Sequence, residues 1–74
     1  MPTLQENILR LRHAAGLTAE QAAERARMHR ITWSDIERGK NTNPTTKTLE
    51  RIAGALNVTA AELFLDEDGE SVTL

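Results

Sequence analysis

The side chains with chemical reach in this 74-residue chain are cations, and they are clustered. From Arg25 to Arg51 the sequence carries Arg25, Arg27, Arg30, Arg38, Lys40, Lys47 and Arg51 against Asp35, Glu37 and Glu50. Seven bases to three acids leave that stretch at +4. Guanidinium and ammonium groups at this density suit a polyanion, whose phosphates they neutralise with release of counterions. The last nine residues are the opposite, with Asp66, Glu67, Asp68 and Glu70 and no base, a charge of −4. The whole-chain total of −2 averages two unlike objects, so mild acidity is no argument against an anionic partner.

Covalent and metal chemistry find no footing. Cys is absent, which excludes disulfides and thiolate metal sites and fits a reducing compartment. The two histidines, His13 and His29, lack ligand spacing and read as surface residues rather than a metal site. No nucleophile–base set is visible, and a chain of this size builds one modest core without a deep cleft. The expectation is therefore a binding protein rather than an enzyme, with no cofactor and no metal. No apolar run approaches the ~20 residues of a membrane helix, and the N-terminus lacks a signal-peptide pattern. One Phe and one Trp are few for a β-sandwich and favour helices.

The elements that must position the cations are well punctuated. Thr3–Glu6, Thr18–Gln21 and Thr59–Glu62 each fit a capping box ahead of an apolar-periodic stretch. Gly16, Gly39 and Asn57 can take the left-handed conformation that ends a helix. These marks predict five helices, over 4–15, 19–26, 30–38, 46–56 and 60–65, in an all-α domain spanning 1–65, with 66–74 as an acidic tail. Leu4, Ile8, Leu11 and Ala15 line one stripe of the first helix, and Leu49, Ile52, Ala53 and Leu56 one stripe of the fourth. Lys40 to Pro44 is polar and feeds the fourth helix as a loop. Gly54 inside that helix costs roughly 1 kcal/mol relative to Ala, which implies close packing or an exposed site. Only Arg27-Met28-His29 separates the second and third helices, which forces the sharp corner of a helix-turn-helix unit.

With that corner placed, the chain resembles the helix-turn-helix family of lambdoid phage repressors and Cro proteins, the XRE family. The resemblance rests on Gly16-Leu17-Thr18, Ala23, Ile36-Glu37-Arg38-Gly39-Lys40, Asn43-Pro44, Leu49, Ile52-Ala53, Leu56, Val58-Thr59 and Glu62-Leu63-Phe64. It covers about residues 4–65. It implies a five-helix, lambda-repressor-like fold whose third helix lies in the major groove of double-stranded DNA, as a homodimer on a pseudo-palindromic operator. It also implies that Arg12 pairs with Glu37 to lock the first helix onto the third, a structural role. A cytoplasmic, nucleoid-associated transcriptional regulator, a repressor by preference, is the function implied.

The chain departs from the family at several positions. Ala19 stands where Gln usually braces a phosphate, leaving the helix N-terminus with Thr18 to hold one. Arg27 stands where Gly is favoured, a strained choice if the turn stays left-handed. Ala22 and Ala26 replace larger aliphatics while Trp33 replaces a smaller residue, so Trp33 is expected in the core, filling the space over the two alanines.

On the third helix Met28, Trp33 and Ile36 are expected to face inward, leaving Arg30, Ile31, Thr32, Ser34, Asp35 and Arg38 outside. Arg30 in the first turn matches guanine O6 and N7; a phosphate is the plainer partner. Ile31 meets a thymine methyl or is a tolerated surface hydrophobe, and Ser34 lies on the same reading face. Asp35 accepts from cytosine N4, pairs with Arg38, or repels wrong sequences. Thr18, Ala19, His29, Thr32, Arg38, Lys40, Asn41, Thr42, Asn43, Thr45 and Lys47 are the candidate phosphate contacts, which position the protein without specifying sequence. His29 either caps the third helix or meets a phosphate. Val58, Leu63, Phe64 and Leu65 form the expected dimer surface, with Leu63 also in the core. The tail, Asp66 to Leu74, is expected to be solvating, or to pair as a strand across a dimer. A competing reading makes the chain a protein-binding module, such as an antitoxin or accessory factor, that engages a protein partner through this tail.

Overall fold

The computed structural model describes residues 3–40 and 44–65. Four α-helices lie among them: α1 (Leu4–Ala14), α2 (Ala19–Ala26), α3 (Arg30–Glu37) and α4 (Thr46–Ala55), followed by a 3₁₀ helix, Ala60–Phe64. The expected fifth α-helix is therefore corrected to a single 3₁₀ turn. Its five residues are closed by i→i+3 bonds, from Glu62 N–H to Thr59 C=O at 3.0 Å and Leu65 N–H to Glu62 C=O at 3.3 Å. Leu65 is already extended, so no further turn exists on which i→i+4 bonds could build. No described helix is long and apolar enough to cross a membrane.

The starts follow the threonines. Thr18 and Thr59 form complete capping boxes with Gln21 and Glu62. Thr3 takes the Glu6 N–H and donates its own hydroxyl to the Glu6 carboxylate, but the return bond to its backbone is not made. Thr45, not foreseen as a cap, accepts from Thr48 N–H at 3.2 Å and starts α4.

All four α-helices stop in the same way. Gly16, Arg27, Gly39 and Asn57 have φ of 72°, 58°, 78° and 59°. The next residue then bonds back five positions: Leu17 to Arg12, Met28 to Ala23, Lys40 to Asp35 and Val58 to Ala53. Leu17, Met28 and Val58 pack against the core, which pulls the chain inward after each stop. Lys40, by contrast, is exposed. Arg27 takes the left-handed conformation without being Gly, so the strain expected at the corner is present.

The core gathers Leu4 and Ile8 of α1, Ala22, Ala23 and Ala26 of α2, Trp33 and Ile36 of α3, Ile52, Ala53, Ala55 and Leu56, and Leu63. Trp33 is 1% exposed and shares this cluster with Ala22 and Ala26, as the exchange of volumes demands. Ala15, expected on the buried stripe, is exposed because α1 has already ended beside it. Gly54 is exposed, and a methyl built on it meets nothing within 4 Å. Gly54→Ala is therefore expected to stabilise the fold by about 0.5–1 kcal/mol, raising the thermal midpoint by roughly 3–6 °C. A melt no higher than wild type would show that α4 gains nothing from a better helix former there.

Candidate nucleic-acid interface

The corner between α2 and α3 places one face of α3 outward. Trp33 and Ile36 anchor the inner face, and each is 1% exposed. Arg30, Ile31 and Thr32 in the first turn are exposed, as is Arg38 just beyond the last; Ser34 and Asp35 between them are half-buried. The row expected to read bases, Arg30, Ile31, Ser34 and Asp35, thus shares the outer side of one short helix. Ile31 is 67% exposed, the most exposed of the large apolar residues described. Asp35 makes no ion pair with Arg38 among the described residues, which removes that explanation for an acid here. Its half-buried carboxylate lies about one helical turn from Arg38.

His29 occupies the N-cap of α3 but makes no side-chain cap bond, correcting one of its two expected roles. Its imidazole is exposed, and the amides of Arg30, Ile31 and Thr32 are left without a side-chain acceptor from the cap. By contrast Thr18 has accepted the Gln21 amide, at 3.1 Å, while its own amide donates to the Gln21 side chain at 2.9 Å. Thr18, Thr45, Lys40 and Lys47 are exposed and Ala19 is half-buried. The oxygen of Thr45 takes the Thr48 amide at 3.2 Å and also shares a hydrogen bond with the Thr48 hydroxyl at 3.0 Å. Asn41, Thr42 and Asn43, expected to grip phosphate, lie outside the described residues, as does the tail from Asp66 to Leu74.

What orients α3 is a node around Glu37. Arg12 Nε donates to Glu37 Oε1 at 2.6 Å and Arg12 Nη2 to Oε2 at 3.4 Å, a two-pronged contact. Arg12 Nη1 reaches the Leu17 carbonyl at 2.8 Å, tying in the loop before α2. The Trp33 indole N–H donates to the same Glu37 Oε1 at 2.7 Å. The side chains of Arg12 and Glu37 are 12% and 10% exposed, so the charges are largely withdrawn from water yet fully bonded. The Arg12–Glu37 contact that the resemblance implied is formed. The Trp33 contribution was missed, although its i, i+4 spacing to Glu37 is a signal for a pair on one helix face.

Around the 3₁₀ helix, Val58 and Phe64 are half-buried and Leu65 is 38% exposed. Leu63, expected in both core and dimer surface, is 0% exposed, so its side chain is wholly used within the monomer and is corrected out of any interface. Among the described residues no group of three or more His, Asp or Glu could hold a metal ion.

Residues 8–64 match the family model described as a helix-turn-helix domain. An uncharacterized HTH-type transcriptional regulator from Sinorhizobium fredii is 40% identical over 62 residues, 84% of this chain and 79% of that protein. The immunity repressor protein of Bacillus phage phi105 is 37% identical over 65 residues, 88% of this chain; the chain spans only 44% of that repressor's length. Among solved structures, the biofilm regulator SinR in complex with DNA superposes with a TM-score of 0.78 at 30% identity, covering 82% of this chain and 97% of that one; SinR is a Bacillus subtilis protein. The family consists of regulators rather than enzymes. With its matched residues running from α1 to the 3₁₀ helix, the chain belongs to the helix-turn-helix family of DNA-binding transcriptional regulators of the phage-repressor and Cro type.

Proposed function

We propose that this chain is a sequence-specific double-stranded DNA-binding regulator that represses by occupying an operator, with α3 in the major groove. The observation that carries this reading is the row on one face of α3, exposed Arg30 and Ile31 with half-buried Ser34 and Asp35, fixed from behind by buried Trp33 and by the Glu37 node. In the groove, the Arg30 fork addresses guanine O6 and N7, Ile31 a thymine methyl, and Asp35 the N4 amino group of cytosine. Ser34 supplies a hydroxyl that either donates or accepts.

Phosphates are held around this row. Thr18 and Ala19 contribute the start of α2, His29 and Thr32 the start of α3, and Arg38, Lys40, Thr45 and Lys47 the far flank, joined by Asn41, Thr42 and Asn43. These contacts orient the helix and carry the salt-dependent part of the affinity. A cytoplasmic, nucleoid-associated location follows from the partner.

A single α3 spans few base pairs, so specificity needs two copies. Val58, Phe64 and Leu65 form the apolar edge through which a second copy packs, setting two recognition helices one turn of DNA apart. Selection of binders from a random duplex pool is expected to enrich a two-fold-related pair of half-sites about 34–36 Å apart, centre to centre. Enrichment of a lone half-site would remove the dimer from this reading, and no enrichment would remove base recognition altogether.

A further inference from the structure

The first two turns of α3 carry two pairs of side chains at i, i+4 spacing, Arg30 with Ser34 and Ile31 with Asp35. Residues four apart on a helix are neighbours, with Cβ atoms about 5–6 Å apart, so Ile31 and Asp35 share one patch of the reading face. The two offer opposite chemistry. Ile31 is 67% exposed, and an aliphatic side chain gains there only when something apolar is laid on it. Asp35 is half-buried and makes no ion pair among the described residues. An ionised carboxylate accepts hydrogen bonds and donates none. Trp33 and Ile36, each 1% exposed, hold the helix from behind, so the spacing of the pair is fixed by the core.

An apolar surface beside an obligate acceptor matches no unmodified base in the major groove. Thymine presents a C5 methyl for Ile31, but its neighbouring O4 is an acceptor that a carboxylate repels. Cytosine presents the N4 amino donor that Asp35 needs, but only hydrogen at C5. Guanine offers two acceptors there, and adenine a donor beside an acceptor, neither with a methyl. C4 and C5 are adjacent ring atoms, so an amino group and a methyl stand side by side on one base, 5-methylcytosine. We propose that Ile31 and Asp35 together read 5-methylcytosine in double-stranded DNA, Ile31 covering the methyl and Asp35 accepting from N4. The inference rests on the base reading by α3 proposed above and joins the methyl and the cytosine amino group on a single base. The methyl leaves Watson–Crick pairing unchanged, so affinity then depends on the modification state of a site as well as on its sequence.

Two random duplex pools test this, one copied with dCTP and one with 5-methyl-dCTP, each selected with the wild-type chain. The methylated pool should enrich a cytosine position that is weaker in the other. In duplexes differing only at that base, 5-methylcytosine should bind about threefold or more tighter than cytosine, and about tenfold or more tighter than thymine. Ile31→Ala, at an exposed site, should bind cytosine and 5-methylcytosine alike while still rejecting thymine. Asp35→Asn, whose amide can donate to O4, should bring thymine within about threefold of 5-methylcytosine. If Asp35→Asn does not fold, the Ile31→Ala comparison decides alone. Equal or weaker binding of the methylated duplex overturns the proposal, and so does a methyl preference that survives Ile31→Ala. Thymine enriched at one position and cytosine at another, with no gain from methylation, also overturns it, because the pair then reads two bases. A wild type that enriches no sequence from either pool overturns base reading by α3, and this proposal falls with it; a selected sequence indifferent to methylation overturns this proposal alone.

Discussion

A Trp33→Ala chain is expected to be largely unfolded at or a little above room temperature. Emptying a buried Trp site costs about 3–5 kcal/mol, since the removed ring leaves a cavity as well as lost burial. A domain of this size has a total stability of roughly 4–11 kcal/mol, so the loss takes a large share of it. Two features put the effect at the upper end. Trp33 shares the core with the alanines at 22 and 26, whose short side chains cannot fill the space it vacates, and its indole N–H makes one of the three hydrogen bonds to the Glu37 carboxylate. The thermal midpoint is expected to fall by roughly 15–30 °C, followed by circular dichroism. Trp33→Phe retains most of the ring and loses the N–H, and should cost about 1–2 kcal/mol. A fall of less than about 5 °C for Trp33→Ala would mean that this ring does not hold α3 in place.

Arg12→Met carries the second large effect. It strands a Glu37 carboxylate that is 10% exposed and leaves the Leu17 carbonyl without its donor. Removing one member of a buried pair costs about 3–5 kcal/mol; the residual exposure of both side chains lowers the expectation to about 2–4 kcal/mol. Changing Arg12 to Met and Glu37 to Leu together should recover part of that loss, because no unpaired charge is then left in the core. The double variant should still bind DNA less tightly per folded molecule, since the fork that fixes α3 against α1 is gone. Chemical denaturation of the two single variants and the double variant measures this coupling. Single-variant costs that simply add would show that the pair does not act as a unit.

Both effects arise from residues whose types were readable at sequence level, and the difference between what was legible and what was not is one of range. Helix starts at Thr18 and Thr59 and stops at Gly16, Gly39 and Asn57 are local, with the instruction and its reader a few residues apart. The Trp33-for-alanine exchange was legible because the resemblance supplied the facing positions. The 3₁₀ turn was misjudged because a good cap announces a start and says nothing of length; Leu65 becomes extended before an α-turn can repeat. Thr45 went unread as a cap because Thr48 lacks the long side chain that completes a box. Buried Asn7 was illegible for a stronger reason: its partners, the carbonyls of Glu62, Leu63 and Leu65, lie 55 to 58 residues away, and backbone carbonyls leave no mark in residue type. The outward row of α3 could be placed by its period, but the behaviour of Asp35 and His29 depends on side-chain partners that period does not encode.

On the function proposed above, α3 reads bases through Arg30 and the residues beside it. Paired selections from one random duplex pool, with wild type and with Arg30→Ala, test it most directly. The wild type should enrich a site with guanine at one fixed position of each half-site. Arg30→Ala should lose preference at that position alone, by about 1–3 kcal/mol of discrimination or roughly 5- to 150-fold, while the remaining positions persist. An unchanged logo with uniformly weaker binding would place Arg30 on a phosphate, and a wild type that enriches no sequence would contradict base reading by α3.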